Sequence, residues 1–193
     1  MVKDIQCAVI PVNTSYQENN PRFSPTPWVY FPLLSSRNDH SISRNLNLIR
    51  SEFVSSIDTL PAYPGIKKTP LLSSSKRSKL TQLPAIVSLR EVSQKQNPRT
   101  FRKGRQITGV LLEGSFQSVF KNRFTDKLEN KVGKEYKETS TKAKMIIVSD
   151  GDIIKNEVSY KADGKYISPL GYDKYTRQTF GNKGFVMNSV HYL

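Results

Sequence analysis

Met145-Ile146-Ile147-Val148-Ser149-Asp150-Gly151-Asp152 is the stretch on which the fold is read. Its first four residues form a short, continuous apolar run, as in a strand buried on both faces. Ser149 to Asp152 is a dense turn signal, rich in the side chains that bond their own backbone. Further on, Pro169-Leu170-Gly171-Tyr172-Asp173 forms a second tight turn, and Asn182 is placed to cap a helix carrying Phe185, Met187, Val190 and Leu193. Buried strand, acidic loop, excursion and terminal helix together make half of an α/β layer, with polar groups gathered where the strand ends.

Working outward, the rest of the chain reads as short strands. Asp4 to Val12 alternates weakly and is closed by Pro11; Asn13 to Pro27 is polar and proline-rich, hence a loop. Trp28 to Phe31 is aromatic and β-branched, a strand stopped by Pro32. Strands are also expected over Asn47 to Val54, with a helix as the rival, and over Lys67 to Ser74, Ala85 to Val92 and Thr108 to Glu113, the last broken by Gly114. Phe116, Val119 and Phe120 fall at helical spacing, so a short helix is expected from Ser115. Ser93 to Gln106 is a charged, mobile linker, and Asn122 to Ser140 a lysine-rich loop with possible helix. The expected whole is α/β, a mixed β-sheet layered with few helices and ending in a helix, in one domain over residues 1–193.

Composition narrows the partners. The 193 residues are 36% hydrophobic with 30 basic and 16 acidic side chains, a formal charge of +14, and the mean hydropathy is -0.52. That balance favours anionic surfaces: lipid, nucleic acid or an acidic protein. The basic residues fall into three groups. One holds Lys67, Lys68, Lys76, Arg77 and Lys79; another Arg90, Arg99, Arg102, Lys103 and Arg105; the last Lys121, Arg123, Lys127, Lys131, Lys134 and Lys137. With little aromatic interleaving they suit a membrane surface better than nucleic acid, which needs stacking platforms. A solvated lysine face is the plainer reading. No apolar run approaches the ~20 residues that span a bilayer, and no signal-peptide core opens the chain.

Few residues point to chemistry. Asp150 and Asp152, flanking Gly151 at a strand end, are able to bind a cation or orient a hydroxyl, but the same pattern is ordinary turn chemistry. Asn156 and Asp173 are candidates to join the same edge. His40 and His191 lack a second ligand at zinc spacing, so a solvated His40 and a helix-end His191 are expected. Cys7, the lone cysteine, reads as an inert thiol on a strand. Gly114-Ser115 lacks the glycines of a nucleophile elbow, and no phosphate-cradling glycine-lysine loop is present. No enzyme activity and no cofactor or metal are expected.

A set of strings in order carries a family resemblance. Asp4-Ile5-Gln6-Cys7-Ala8, Trp28-Val29-Tyr30-Phe31-Pro32-Leu33, Asn45-Leu46-Asn47, Ser55-Ser56-Ile57-Asp58 and Leu111-Leu112-Glu113-Gly114 precede Val148 to Asn156, Leu170-Gly171-Tyr172-Asp173-Lys174 and Gly181-Asn182-Lys183. Together they resemble the later part of the GldG family of gliding-motility ABC transporter auxiliary proteins. That resemblance implies part of a flavodoxin-like, amidotransferase-like α/β fold without its cysteine elbow. It implies a non-catalytic, substrate-binding-like subunit working beside a permease and a separate ATPase. It also implies a place on the extracytoplasmic face of the inner membrane, as part of a longer anchored protein. Partners would dock at the edge formed by Asp150, Gly151, Asp152, Asn156 and Asp173. The rival readings are a basic nucleic-acid-binding protein and a degenerate hydrolase using the acidic loop.

Overall fold

A computed structural model of the chain describes residues 1–15, 21–37, 39–61, 64–121 and 136–193. Its strands, in chain order, are β1 (Val2–Asp4), β2 (Cys7–Asn13), β3 (Phe23–Ser36), β4 (Ile49–Arg50), β5 (Ile66–Ser73), β6 (Ser78–Leu80), β7 (Ile107–Gly114), β8 (Ala143–Val148), β9 (Val158–Lys161), β10 (Gly164–Ile167), β11 (Tyr172–Asp173) and β12 (Gln178–Thr179). A single α-helix among the described residues, α1 (Asn182–Tyr192), ends the chain. The main sheet runs β2-β3-β5-β7-β8, with β4 on β3; β1–β6, β9–β10 and β11–β12 are separate pairs.

Every one of these pairings is antiparallel. The expectation of a largely β layer with few helices holds. The sheet, however, is antiparallel rather than mixed. A flavodoxin-like layout needs parallel strands joined by helical crossovers, and the described residues contain no parallel pair.

The strand buried over four successive residues is β7, and not, as expected, Met145 to Val148 in β8. Thr108 to Leu111 are all buried there. Among the described residues β8 takes the edge of the sheet and pairs only with β7, with Ile147 opposite Val110 and Val148 opposite Gly109. Ile146 and Val148 pack on the core, whereas Met145 and Ile147 on the other face are 47% and 41% exposed. A four-residue apolar run does not by itself distinguish a central strand from such an edge.

Prolines do not end strands here as expected. β3 passes through Pro25, Pro27 and Pro32, and β2 contains Pro11, which lies opposite Pro25. Over Phe23 to Pro32 the ladder partner of β3 is β2, so this half of the strand needs hydrogen-bond donors on one side only. Pro32 lies opposite Cys7, where the register shifts, and its carbonyl accepts from both the backbone N–H and the hydroxyl of Ser51. The break expected at Pro11 instead falls at Ile5-Gln6, between β1 and β2.

Two apolar clusters flank the sheet. The larger joins Val2, Leu34, Ile49, Leu71, Leu72, Leu111 and Ile153 to Phe185 of α1. The smaller is aromatic: Trp28 and Tyr30, with ring centroids 4.9 Å apart, pack with Val29 and Phe101. Phe101 belongs to the segment expected to be a linker. That segment carries a 3-10 turn over Pro98–Thr100 and buries the phenylalanine against the sheet.

Other expected elements differ. Asn47 to Val54 forms a strand only at Ile49–Arg50. Ala85 to Val92 is not a strand; a 3-10 turn covers Leu89–Ser93. The helix expected from Ser115 is absent: Gln117 forms an isolated bridge to Thr139, and Val119 and Phe120 face solvent. Most of the lysine-rich loop, residues 122–135, and residues 16–20 of the proline-rich loop lie outside the described residues.

Asn182 does not cap α1. The N-cap is Gly181, with no side-chain cap bond. A Cβ on Gly181 would lie 2.4 Å from the carbonyl oxygen of Asn47, so glycine lets the helix start against that loop. Asn182 is released for another task. Its Oδ1 accepts from the Arg50 N–H at 3.0 Å, and its Nδ2 donates to the carbonyls of Arg50 (2.9 Å) and Ile153 (3.0 Å).

Candidate functional site

The loop after β8 is built from its own side chains. The Ser149 hydroxyl bridges the carbonyls of Ser55 and Thr108. Asp150, in extended conformation, caps the 3-10 turn Gly151–Ile154 by accepting from the Asp152 N–H at 2.8 Å. Its other oxygen accepts from the Glu52 N–H, also at 2.8 Å. Asp150 is 8% exposed. Burial raises its pKa above the ordinary carboxylate range, and the two backbone N–H groups oppose that shift. With both oxygens engaged, Asp150 holds the loop to the β4 strand-end rather than waiting for a substrate.

Asp152 points the other way. It accepts from Lys155 Nζ at 3.1 Å, and that lysine also lies 3.6 Å from Glu52. Arg50 continues the chain, bonding Glu52 at 3.1 Å and Glu157 at 3.0 Å. Glu157, Arg50, Glu52, Lys155 and Asp152 thus form one alternating row of charges along a recess of about 30 Å3 closed by Tyr172 and Asn182. That volume holds roughly one or two waters. The Arg50 Nε is buried and has no partner in the described structure. On the opposite side of the loop, Ile146, Val148, Ile153, Ile154, Phe185 and Val190 line an open apolar groove of about 310 Å3 between β8 and α1. Asp150 and Gly151 close one end of it. The acidic loop is therefore a ridge between a charged recess and an apolar groove.

The five residues expected at this edge divide. Asp152 lines the recess, and Asp150 and Gly151 line the groove. Asn156 instead donates to the Ser168 carbonyl at 2.8 Å, tying the base of the β9–β10 hairpin. Asp173 is buried and accepts from the Tyr175 N–H (3.0 Å) and the Thr176 hydroxyl (2.8 Å), closing the β11–β12 turn. Sequence reasoning missed Arg50, Glu52, Lys155 and Glu157. Their signal is a repeated pattern, cation-x-glutamate, in Arg50-Ser51-Glu52 and Lys155-Asn156-Glu157.

The remaining candidates have quieter roles. His40 meets the Tyr192 ring edge-on at 4.9 Å, and its Nδ1 accepts from the Ile42 N–H. His191 is exposed in the last turn of α1. Cys7 is half-buried, and burial pushes its thiol up to about 11, far from a thiolate at neutral pH. Among the described residues no group of three His, Cys, Asp or Glu is placed to hold a metal ion.

A family model described as an ABC-type uncharacterized transport system matches residues 1–189. The chain belongs to that family. No curated protein and no solved structure matches it. As an ABC transport auxiliary protein, it is a component associated with ABC-type transport and belongs to a system with other components. Among the described residues no helix of this auxiliary protein is long and apolar enough to cross a membrane.

The two aspartates of the loop should respond differently to amide replacement. In Asp150→Asn the side-chain NH2 has to face either the Glu52 or the Asp152 N–H, leaving a buried donor unmatched, at a cost of about 1–3 kcal/mol. Asp152→Asn removes only a partly exposed ion pair and should cost about 0.5 kcal/mol or less. The pH dependence has a defined sign. Folding raises the Asp150 pKa, so the folded state binds its proton more readily. The stability from that proton is complete below the unfolded pKa and is lost as pH rises through the folded value. Asp150→Asn should flatten that fall in urea unfolding across the acid range. Equal destabilisation by the two variants would contradict the assignment of Asp150 as the structural member.

Proposed function

We propose that this auxiliary protein is the non-catalytic, substrate-binding-like domain of an ABC transporter that serves gliding motility and its linked secretion. In this reading residues 1–193 form a single domain on the extracytoplasmic face of the inner membrane, part of a longer anchored protein. It acts by binding, beside a permease and a separate ATPase. The observation that carries the binding reading is the ridge at Ser149 to Asp152, with an apolar groove on one flank and paired charges on the other. Docked complexes commonly combine an apolar centre with a polar rim. The edge of β8 adds unpaired backbone groups, since its only ladder partner among the described residues is β7, and such an edge is able to accept an extended segment.

The test is capture of the permease and ATPase by the full-length protein from detergent-solubilised membranes. Ile154 and Val190 are 60% and 64% exposed in the groove, so Ile154→Glu with Val190→Glu leaves the core intact while placing two charges at the apolar centre. Capture should fall roughly tenfold or more. Undiminished capture by the double variant, with melting unchanged, would place the docking surface elsewhere.

A further inference from the structure

Residues 75–106 hold nine lysines and arginines and one carboxylate, Glu91. That carboxylate is already engaged: Lys3 bonds it at 3.2 Å and the Tyr30 hydroxyl at 2.9 Å. None of the nine cations is in an ion pair among the described residues. The fold brings together two groups that lie apart in sequence. Lys103 N–H donates to the Ser78 carbonyl at 3.0 Å, and the Ser78 hydroxyl donates to the Gly104 carbonyl. Lys79, Arg102 and Lys103 then line one open recess with Leu80 and Thr100. Asp4 anchors this arrangement from beneath. It is fully buried and accepts from the Ser75 N–H (2.7 Å), the Ser75 hydroxyl (2.6 Å) and the Gln6 N–H (2.8 Å).

An apolar loop leaves this recess directly after Leu80. Between Leu80, in the cationic recess, and Val92, packed on the Phe101 cluster, the chain exposes Leu83, Ile86, Val87 and Leu89. Ile86 is 91% exposed. Water alone gives no reason for four apolar residues of one short loop to stand exposed next to a recess this charged. We infer that this face is a peripheral membrane-docking surface, in which Leu83, Ile86 and Leu89 enter the headgroup region while Lys79, Arg102 and Lys103 meet anionic lipid phosphates.

Charge complementarity selects this occupant. Unpaired cations match a surface of phosphates without demanding a fixed spacing, and apolar insertion supplies the second signal that stable membrane attachment needs. A single-stranded nucleic acid would need stacking platforms, whereas the aromatic rings beneath this face, Trp28, Tyr30 and Phe101, are buried. The surface is separate from the Ser149 to Asp152 ridge and does not depend on the partner docking proposed there.

The test is co-sedimentation of the 193-residue chain with phosphatidylcholine vesicles, with and without phosphatidylglycerol. Three triple variants are compared: Lys79→Glu, Arg102→Glu, Lys103→Glu on the face; Leu83→Ser, Ile86→Ser, Leu89→Ser in the loop; and Lys165→Glu, Lys174→Glu, Lys183→Glu, exposed elsewhere, as a control of equal charge change. The wild type should bind the anionic vesicles at about 0.1 M salt and release them near 1 M, where screening shortens to about 3 Å. At roughly fivefold per cation, the face variant should lose about 100-fold or more. The loop variant should lose at least about tenfold, and the control much less than the face variant. Circular dichroism melting confirms that each variant is folded. Equal binding to both vesicle types, equal losses in the face and control variants, or an unchanged loop variant would overturn the inference. So would oligonucleotide binding as tight as vesicle binding that ignores the loop substitutions, which would assign the face to nucleic acid.

Discussion

Phe185→Ala should lower the melting temperature by roughly 6–20 °C, the largest effect expected of any single truncation in α1. Phe185 is 2% exposed and joins the helix to Ile42, Ile49, Leu111 and Ile153. Truncating a core phenylalanine costs about 3–5 kcal/mol, from lost burial and the cavity left behind. A domain of this size shifts by about 2–4 °C per kcal/mol, and its whole stability is about 5–15 kcal/mol. Val190 and Leu193, which the apolar pattern of the helix also points to as cover for β8, project into solvent. Val190→Ala should therefore change the melting temperature by about 2 °C or less. Scanning calorimetry of the two variants checks both values. If they melt alike, α1 is not held by Phe185.

Asn182→Ala is the second large effect, at about 2–5 kcal/mol. The asparagine is buried and makes three bonds to backbone atoms of two other segments, so alanine leaves the Arg50 N–H, the Arg50 carbonyl and the Ile153 carbonyl without it. Each buried backbone group left unmatched costs about 1–3 kcal/mol. The loss is not confined to the helix, because Arg50 also carries the centre of the charged recess. Hydrogen exchange distinguishes this from helix fraying. The Arg50 amide should exchange faster in Asn182→Ala than the loss of global stability explains, while amides of β5 and β7 speed up only by the amount that loss accounts for. An unchanged Arg50 amide and a melting curve matching wild type would remove Asn182 as the link between α1 and β4.

Parts of this architecture were legible in the residues. The strands β5 and β7, to within one residue at each end, the turn at Ser149 to Asp152 and the helix over Asn182 to Tyr192 follow from apolar patterning and turn chemistry. What local pattern does not carry is position in the sheet. Met145 to Val148 reads the same at an edge as at the centre, and only pairing shows that β8 has one neighbour among the described residues. Proline rules misplace β3 because they assume donors are needed on both sides. Phe116, Val119 and Phe120 have helical spacing, but Val119 and Phe120 face solvent among the described residues, so no packing there holds a helix.

The site was legible to a similar depth. Turn chemistry located the acidic loop, but it could not tell a buried cap, Asp150, from a side chain on a recess, Asp152. Asn156 and Asp173 look alike in sequence and serve local turns. Arg50 ends a strand of two residues and Glu52 lies just beyond it, nearly a hundred positions before the loop, and only the sheet brings them there. The same holds for the cationic face, where Ser78 and Lys103 meet across twenty-five positions.

Site-specific photo-cross-linking in cells tests the central claim most directly, because it reads contact at the ridge without asking which partner is there. A photoreactive residue is placed at Ile154 or Val190 in the groove, and at Tyr160 or Val119, which are comparably exposed outside it. The account predicts that Ile154 and Val190 each give a discrete adduct with a component of the ABC transport system, and that Tyr160 and Val119 give none. Adducts from Tyr160 and Val119 with no adduct from Ile154 or Val190 would contradict it.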